Sequence, residues 1–279
     1  LGAVRQSLIF SRQQKEAGRP AGWLVCPLVA TSHTWENGKN QQSHQDTTFC
    51  EALLGEMSDM VRVLFPADHN SVLATLPAIY QARGQLACMV IPKRERPAVF
   101  SQAQAEQLAR DGAVLVEQLD GEEPLLLMAC GSYQLAEMQR AAVRLRTAGL
   151  AYRLVYVQEP GRFRAPRDRW EAEALASPEL IAQLFAPTLR RRVLLTHMRP
   201  EVARGHLWPL LPEASNTVVL GYRNRGGTLD EAGMQFANSA TWAHILDACA
   251  QLLQVPLSGV LSAAEITAVK GEGDPRVLR

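Results

Sequence analysis

Surplus charge of one sign is what this sequence has least of: 29 lysines and arginines stand against 28 aspartates and glutamates. A chain so balanced has no field to draw it onto nucleic acid or an anionic membrane, and neither is expected as a partner. Long hydrophobic runs are missing too. None approaches the roughly 18 apolar residues of a membrane-spanning helix, and no signal-peptide pattern is present, so the expected location is the cytoplasm. Cysteine is sparse. The five, Cys26, Cys50, Cys88, Cys130 and Cys249, are odd in number and lack CxxC spacing. They read as buried thiols in a reducing compartment, not as disulfides or zinc ligands. The motifs GxGxxG, GxxxxGK[ST] and GxSxG are all absent, which removes motif support for nucleotide binding and for a serine hydrolase. There is no internal repeat and no low-complexity tract.

What is present is an ordinary globular composition, 47% hydrophobic and 20% charged over 279 residues, enough for about two domains. Short apolar runs bounded by glycine, proline or polar residues mark buried strands at Trp23–Ala30, Met60–Phe65, Leu86–Ile91, Leu125–Ala129, Tyr152–Val157, Arg192–Thr196 and Asn216–Leu220. Helical patterns lie between them. Val4–Ala17 opens the chain, Asn70 can cap a helix running to Arg83, and Ser101 caps another to Arg110. A further helix starts at Gly131-Ser132 and stops at Gly149, others start at Ser177-Pro178 and Pro200, and Ser239–Leu253 is amphipathic. Alternating strands and helices predict α/β architecture with parallel sheets. The acidic break Asp120–Pro124 suggests a first α/β domain over residues 1–116 and a second over 117–279.

One stretch stands out. Between the first two strands, Thr31 to Asp59 holds a dense polar run with Asn37, Lys39, Asn40, Ser43, His44 and Asp46, far more side-chain donors and acceptors than a turn needs. A solvated surface loop would give the same pattern. In a parallel sheet, however, a loop after the first strand and Lys93 after the third lie on the same edge, beyond the carboxyl ends, where ligands collect. Asn37, Lys39, Asn40 and Lys93 then suit an anion such as a phosphate, with Arg94 and Arg96 close by. His44, flanked by Ser43, Gln45 and Asp46, is the candidate general acid or base, since flanking hydrogen bonds can orient its ring and tune it near neutrality.

The run WENGKNQQSHQD (Trp35–Asp46) resembles the signature loop of the xylulose 5-phosphate/fructose 6-phosphate phosphoketolases, close to WRQDHNGFSHQDP there. The two align without a gap over twelve positions and share the tryptophan, one asparagine and the terminal SHQD. VRVLFPADHN (Val61–Asn70), VIPK (Val90–Lys93), the stretch Leu126–Val157 and GYRNRGGTLDEAG (Gly221–Gly233) are similar to later segments of that family. The resemblance implies a pyrimidine-binding-type domain, N-terminally incomplete, followed by a transketolase-like C-terminal domain. It also implies a homodimeric enzyme that uses thiamine diphosphate and Mg2+. Such an enzyme cleaves a ketose phosphate with inorganic phosphate, giving acetyl phosphate and an aldose phosphate. His44 would stand beside the cofactor and assist proton transfers, while Asn37, Lys39, Asn40 and Lys93, with Lys15 near a basic position of the family, would line the phosphate end. Departures occur at Asn37, Lys39 and Gln41, where the family has glutamine, histidine and glycine, and at Thr47, where it has proline. The family's aminopyrimidine glutamate and its GDG…N metal motif both fall before Leu1, and GEGD (Gly271–Asp274) is not in place to substitute. The expectation is that these 279 residues alone are inactive. The rival expectation is a non-catalytic assembly or regulatory module that keeps the fold.

Overall fold

The computed structural model describes residues 2–20, 26–30, 34–36, 46–211 and 213–279. Helix α1 (Gly2–Glu16) leads to strand β1 (Cys26–Ala30). Then come α2 (Thr48–Leu54), β2 (Val61–Leu64), α3 (His69–Tyr80) and β3 (Leu86–Val90). These three strands pair in parallel in the order β1-β3-β2. Among the described strands β1 is an edge, which suits Pro27, since proline has no amide to give a second neighbour. Helix α4 (Gln102–Asp111) stops at Gly112, whose left-handed φ of 79° lets the chain enter β4 (Ala113–Leu119) at once.

The second sheet grows from β5 (Leu125–Cys130), α5 (Ser132–Thr147), β6 (Tyr152–Val157), α6 (Arg169–Ala174), α7 (Pro178–Leu184), β7 (Arg192–Thr196), α8 (Pro200–His206) and β8 (Thr217–Leu220). Its order is β4-β6-β5-β7-β8. Strands β5 to β8 run parallel, as expected, but β4 is antiparallel to β6. Helices α9 (Glu231–Ala237), α10 (Trp242–Leu253) and α11 (Ala263–Val269) complete the chain. The boundary expected at Val116 falls inside β4, which belongs wholly to the second sheet. The change of sheet therefore lies between Val90 and Ala113, because β4 is committed by pairing with β6, more than thirty residues further on.

Strand alternation assigns each side chain to a core. In β5, Leu125, Leu127 and Ala129 join α5 and α10 in one cluster, while Leu126, Met128 and Cys130 point into another. That second cluster also takes Val61, Val63 and Phe65 from the first sheet, Cys88 and Val90 from β3, and Leu53 and Leu54 from α2. The outer face of the first sheet, Leu64, Ala87 and Met89, packs on Ile79 of α3. The two sheets thus share a continuous apolar core, each fully buried aliphatic side chain contributing about 1.5–3 kcal/mol. Cys50, Cys88, Cys130 and Cys249 are buried free thiols. Burial pushes all four up, Cys88 and Cys249 to about 12, so they pack as small apolar groups.

Three local expectations are revised. Helix α3 is capped by Asp68, not Asn70: its Oδ1 accepts from the Ser71 amide at 2.8 Å. The second half of the polar stretch is helix α2, which buries Cys50, Leu53 and Leu54 on one face. The arginine-rich segment after β6 is packed, not an excursion. Glu171, fully buried, accepts from the amides of Ser58 (2.9 Å) and Arg167 (2.8 Å) and pairs with the Arg167 guanidinium at 2.7 Å. Burial pushes the Glu171 carboxyl up, but the Arg167 guanidinium and these amides outweigh that and hold it at about 2, against 4.5 ordinarily.

A lowered folded value means that stability is present above the unfolded pKa and lost as pH falls through the folded one. Acid titration of the unfolding free energy should therefore show about 3 kcal/mol disappearing between roughly pH 4.5 and pH 2. The same step should be missing from Glu171→Gln.

Candidate functional site

The carboxyl ends of strands from both sheets converge on one region. After β2, Phe65 donates its amide to the Gln158 carbonyl at 2.8 Å, and the Tyr156 hydroxyl donates to the Phe65 carbonyl. After β5, the Ser132 hydroxyl donates to the Ala67 carbonyl at 2.7 Å. Gly131, with φ of 115°, makes this turn possible: a Cβ there would stand 3.0 Å from the Cβ of His197, which follows β7. His197 is buried with its ring 5.3 Å from Phe65. Burial pushes it down to about 3, so near pH 7 the ring is neutral and is no general acid.

The short turn Thr34–Glu36 carries the start of the polar run into this region. Trp35 is fully buried; its Nε1 donates to the His197 carbonyl at 3.3 Å, and its ring meets Tyr222 edge-on at 5.9 Å. Glu36 then accepts from three donors: the amides of Lys93 (2.7 Å) and Arg94 (3.0 Å), and the hydroxyl of Tyr133 (2.5 Å). Burial, followed by this bond to Glu36, pushes the Tyr133 hydroxyl far up, so it stays a proton donor. Arg96 stacks over the Tyr133 ring at 4.4 Å and pairs with Glu231 of α9 at 3.5 Å.

The far end of the run is also held. Asp46 accepts from the Thr48 amide (3.0 Å) and hydroxyl (2.6 Å) and from the Arg199 guanidinium (3.1 Å). Arg199 also gives its amide to Glu51 at 2.7 Å and pairs its guanidinium with the same carboxylate. Burial pulls the Arg199 guanidinium down, but Glu51 and Asp46 more than offset it, and the charge is held firmly.

Of the residues expected to act, His44, Asn37, Lys39 and Asn40 lie outside the described residues. Lys93 is brought to the carboxyl edge, its amide bonded to the residue that immediately precedes Asn37. Lys15 is not brought there. Its ammonium pairs with Asp59 at 2.7 Å and lies 5.2 Å from the Trp170 ring. Asp59 precedes β2, whereas Lys93 follows β3, and β2 and β3 run parallel. About five residues of strand, roughly 16 Å, therefore separate the two ends. The reason is electrostatic: Asp59, only 6% exposed, needs a cation beside it, and α1 supplies Lys15. Sequence reasoning missed Glu36, Tyr133, Arg199 and Tyr222. Glu36 was within the run itself, and Arg199 and Tyr222 follow strands β7 and β8, the signal that could have found them.

Among the described residues no group of three or more histidines, cysteines or acids is placed to hold a metal ion. Asp274 of the GEGD stretch caps the following turn and pairs with Arg276 at 2.7 Å. The edge carboxylates Glu36, Asp46 and Glu51 are each taken up by the donors named above.

A family model described as D-xylulose 5-phosphate/D-fructose 6-phosphate phosphoketolase matches residues 1–82. A probable phosphoketolase of Lactococcus lactis is 28% identical over 168 residues, 58% of this chain and 20% of that protein. The chain spans about a fifth of the length of the curated relatives it matches first. A transketolase from Leishmania mexicana superposes with a TM-score of 0.60 at 14% identity, over 84% of this chain and 31% of its own. A structure described as a split gene transketolase, inactive β4 tetramer, gives 0.59 at 17% identity, over 83% of this chain and 66% of that one. At such identities the likeness to the solved structures is one of fold, the parallel-sheet α/β fold of transketolases.

Glu36 ties the edge together, so Glu36→Ala should lower the unfolding free energy by about 1–3 kcal/mol, since it strands the Tyr133 hydroxyl and two amides. Denaturant titration would measure it. Tyr133→Phe should cost less than half as much. Through residues 1–82 and these partial alignments, the chain is similar to the D-xylulose 5-phosphate/D-fructose 6-phosphate phosphoketolases.

Proposed function

We propose that this chain is one part of a thiamine-diphosphate-dependent phosphoketolase. The whole protein would cleave xylulose 5-phosphate, fructose 6-phosphate or both with inorganic phosphate, yielding acetyl phosphate and an aldose phosphate. The observation that carries the reading is the convergence of both ends of the Trp35–Asp46 run and Lys93 on one edge of the parallel strands. That edge is where α/β sheets collect ligands.

The roles follow from chemistry. A phosphate dianion calls for cations and amide donors, which Lys39, Lys93, Asn37 and Asn40 provide. Loss of hydroxyl from a two-carbon unit calls for a group that can deliver a proton near neutrality, which is His44. Lys93 has its backbone fixed by Glu36 and its residue placed at the edge. Holding the backbone keeps the ammonium within a small search volume, so less rotamer entropy is lost on binding. By the resemblance, the residues that hold the cofactor's diphosphate and metal would be brought to this edge by another segment or another chain. The departures at Asn37, Lys39 and Gln41 favour the second reading, a non-catalytic assembly or regulatory module.

Two experiments separate these readings. Calorimetric titration of thiamine diphosphate with Mg2+ into the 279-residue chain should give no tight binding; a submicromolar site would overturn the division of labour proposed here. With the cofactor-binding part supplied, acetyl phosphate should form from xylulose 5-phosphate and inorganic phosphate, and His44→Ala should reduce kcat by about 10²–10⁴-fold. Lys93→Ala should act mainly on KM. A folded, cofactor-loaded assembly that makes no acetyl phosphate from either ketose phosphate would leave the assembly-module reading standing.

A further inference from the structure

The order of the second sheet reverses at β5, with β6 on one side and β7 on the other. In open α/β sheets that reversal opens a crevice beyond the carboxyl ends, the usual ligand site of the fold. Here the chain itself occupies it. Trp35 sits fully buried on the His197 carbonyl, the Ala67 carbonyl takes the Ser132 hydroxyl, and Phe65 packs on the His197 ring. The second sheet therefore uses its ligand-binding end to grip the first.

The grip falls on both ends of the Trp35–Asp46 run. At one end Trp35 meets Tyr222, and Glu36 takes the Tyr133 hydroxyl. At the other, Arg199 holds Asp46, Thr48 and Glu51 together, with its guanidinium 5.8 Å from the same Tyr222 ring. Tyr222 thus meets one end of the run directly, at Trp35, and the holder of the other, Arg199. A guanidinium fork that binds two carboxylates while lying near an aromatic ring has little freedom to turn, unlike a lysine ammonium. Glu51 is only 8% exposed along its side chain, so removing Arg199 would leave its carboxylate buried without this partner.

We propose that Arg199 is a positioning residue: with Tyr222 and Tyr133 it fixes both ends of the Trp35–Asp46 run against the second sheet, so that the C-terminal layer sets the alignment of catalytic groups carried by the first. This rests on the reading above that the run carries the chemistry. It gives the C-terminal layer a definite task without any ligand of its own. A misplacement of about 1 Å at such a distance from the reacting atoms is enough to cost on the order of a hundredfold in rate.

The test reads the grip and the chemistry separately. Amide hydrogen exchange would be followed by mass spectrometry over residues 34–36 and 46–54 in the 279-residue chain, for the wild type and for Arg199→Leu, Arg199→Lys and Asp46→Asn. Arg199→Leu should speed exchange at 46–54 at least tenfold while β5 and β7 keep their protection. Asp46→Asn, which leaves the Glu51 pair intact, should do so more weakly, and Arg199→Lys should restore protection only in part. In the cofactor-loaded assembly the same variants should lower kcat in the same rank order, with KM for the ketose phosphate within about threefold of wild type. Unchanged exchange at 46–54, or exchange raised evenly over the whole chain, overturns the grip. Local exchange that rises with kcat unaltered overturns the positioning role. Should the wild-type assembly make no acetyl phosphate, the reading of the reaction fails, while the exchange data still decide whether Arg199 holds the run.

Discussion

Glu36 is the joint on which the rest of the structure depends. One carboxylate accepts from the amides that follow β3 and from a hydroxyl at the start of α5, so a single side chain fastens the edge of one sheet to the edge of the other. Charge-assisted hydrogen bonds to a carboxylate are about twice as strong as neutral ones. Its three donors come from chain segments that are 57, 58 and 97 residues away. Such a joint cannot form until both sheets have folded, and once formed it fixes where the polar run begins.

Around this joint the two sheets divide the work. The first sheet is small, three strands, and presents Lys93 and the ends of the polar run at its carboxyl edge. The second has five strands, and its carboxyl edge is filled by Trp35, Phe65 and Ala67 of the first. Its buried histidine, His197, is kept neutral and serves as packing surface, while Arg199, two residues further along, carries the charge that holds Asp46 and Glu51. Apolar area supplies the affinity between the layers, and the few ionic and hydroxyl contacts at the edge supply the register. That is the usual partition between non-directional burial and directional bonds.

How much of this was legible beforehand follows from the range of each interaction. Strands β2, β3 and β5 to β8 were readable because parallel strands buried on both faces are written as continuous apolar runs. The caps at Ser101 and Ser177 and the stop at Gly149 were readable because a cap is decided within four residues. Asn70 was mistaken for the cap two residues ahead of it because both Asp68 and Asn70 are competent, and the choice went to Asp68. Its second carboxylate oxygen also takes the amides of Val99 and Phe100, thirty residues on. Helix α2 was hidden within a polar stretch, since its seven residues, Thr48–Leu54, are too few to show a helical period. The boundary near Val116 misled because β4 finds its partner across α5, and no local signal records that pairing.

The sequence by itself determined the alternation of strands and helices, the buried thiols, the polar run and its likeness to the phosphoketolase loop, because each is local or compositional. Only the tertiary structure decided which charged residues meet. It sent Lys15 to Asp59 at the amino ends of the strands, brought Lys93 to Glu36 at the carboxyl ends, and set Arg199 on Asp46 and Glu51. Ion pairs and crevice contacts join residues from 44 to more than 150 positions apart, and a chain's order carries no measure of that distance until the core has packed.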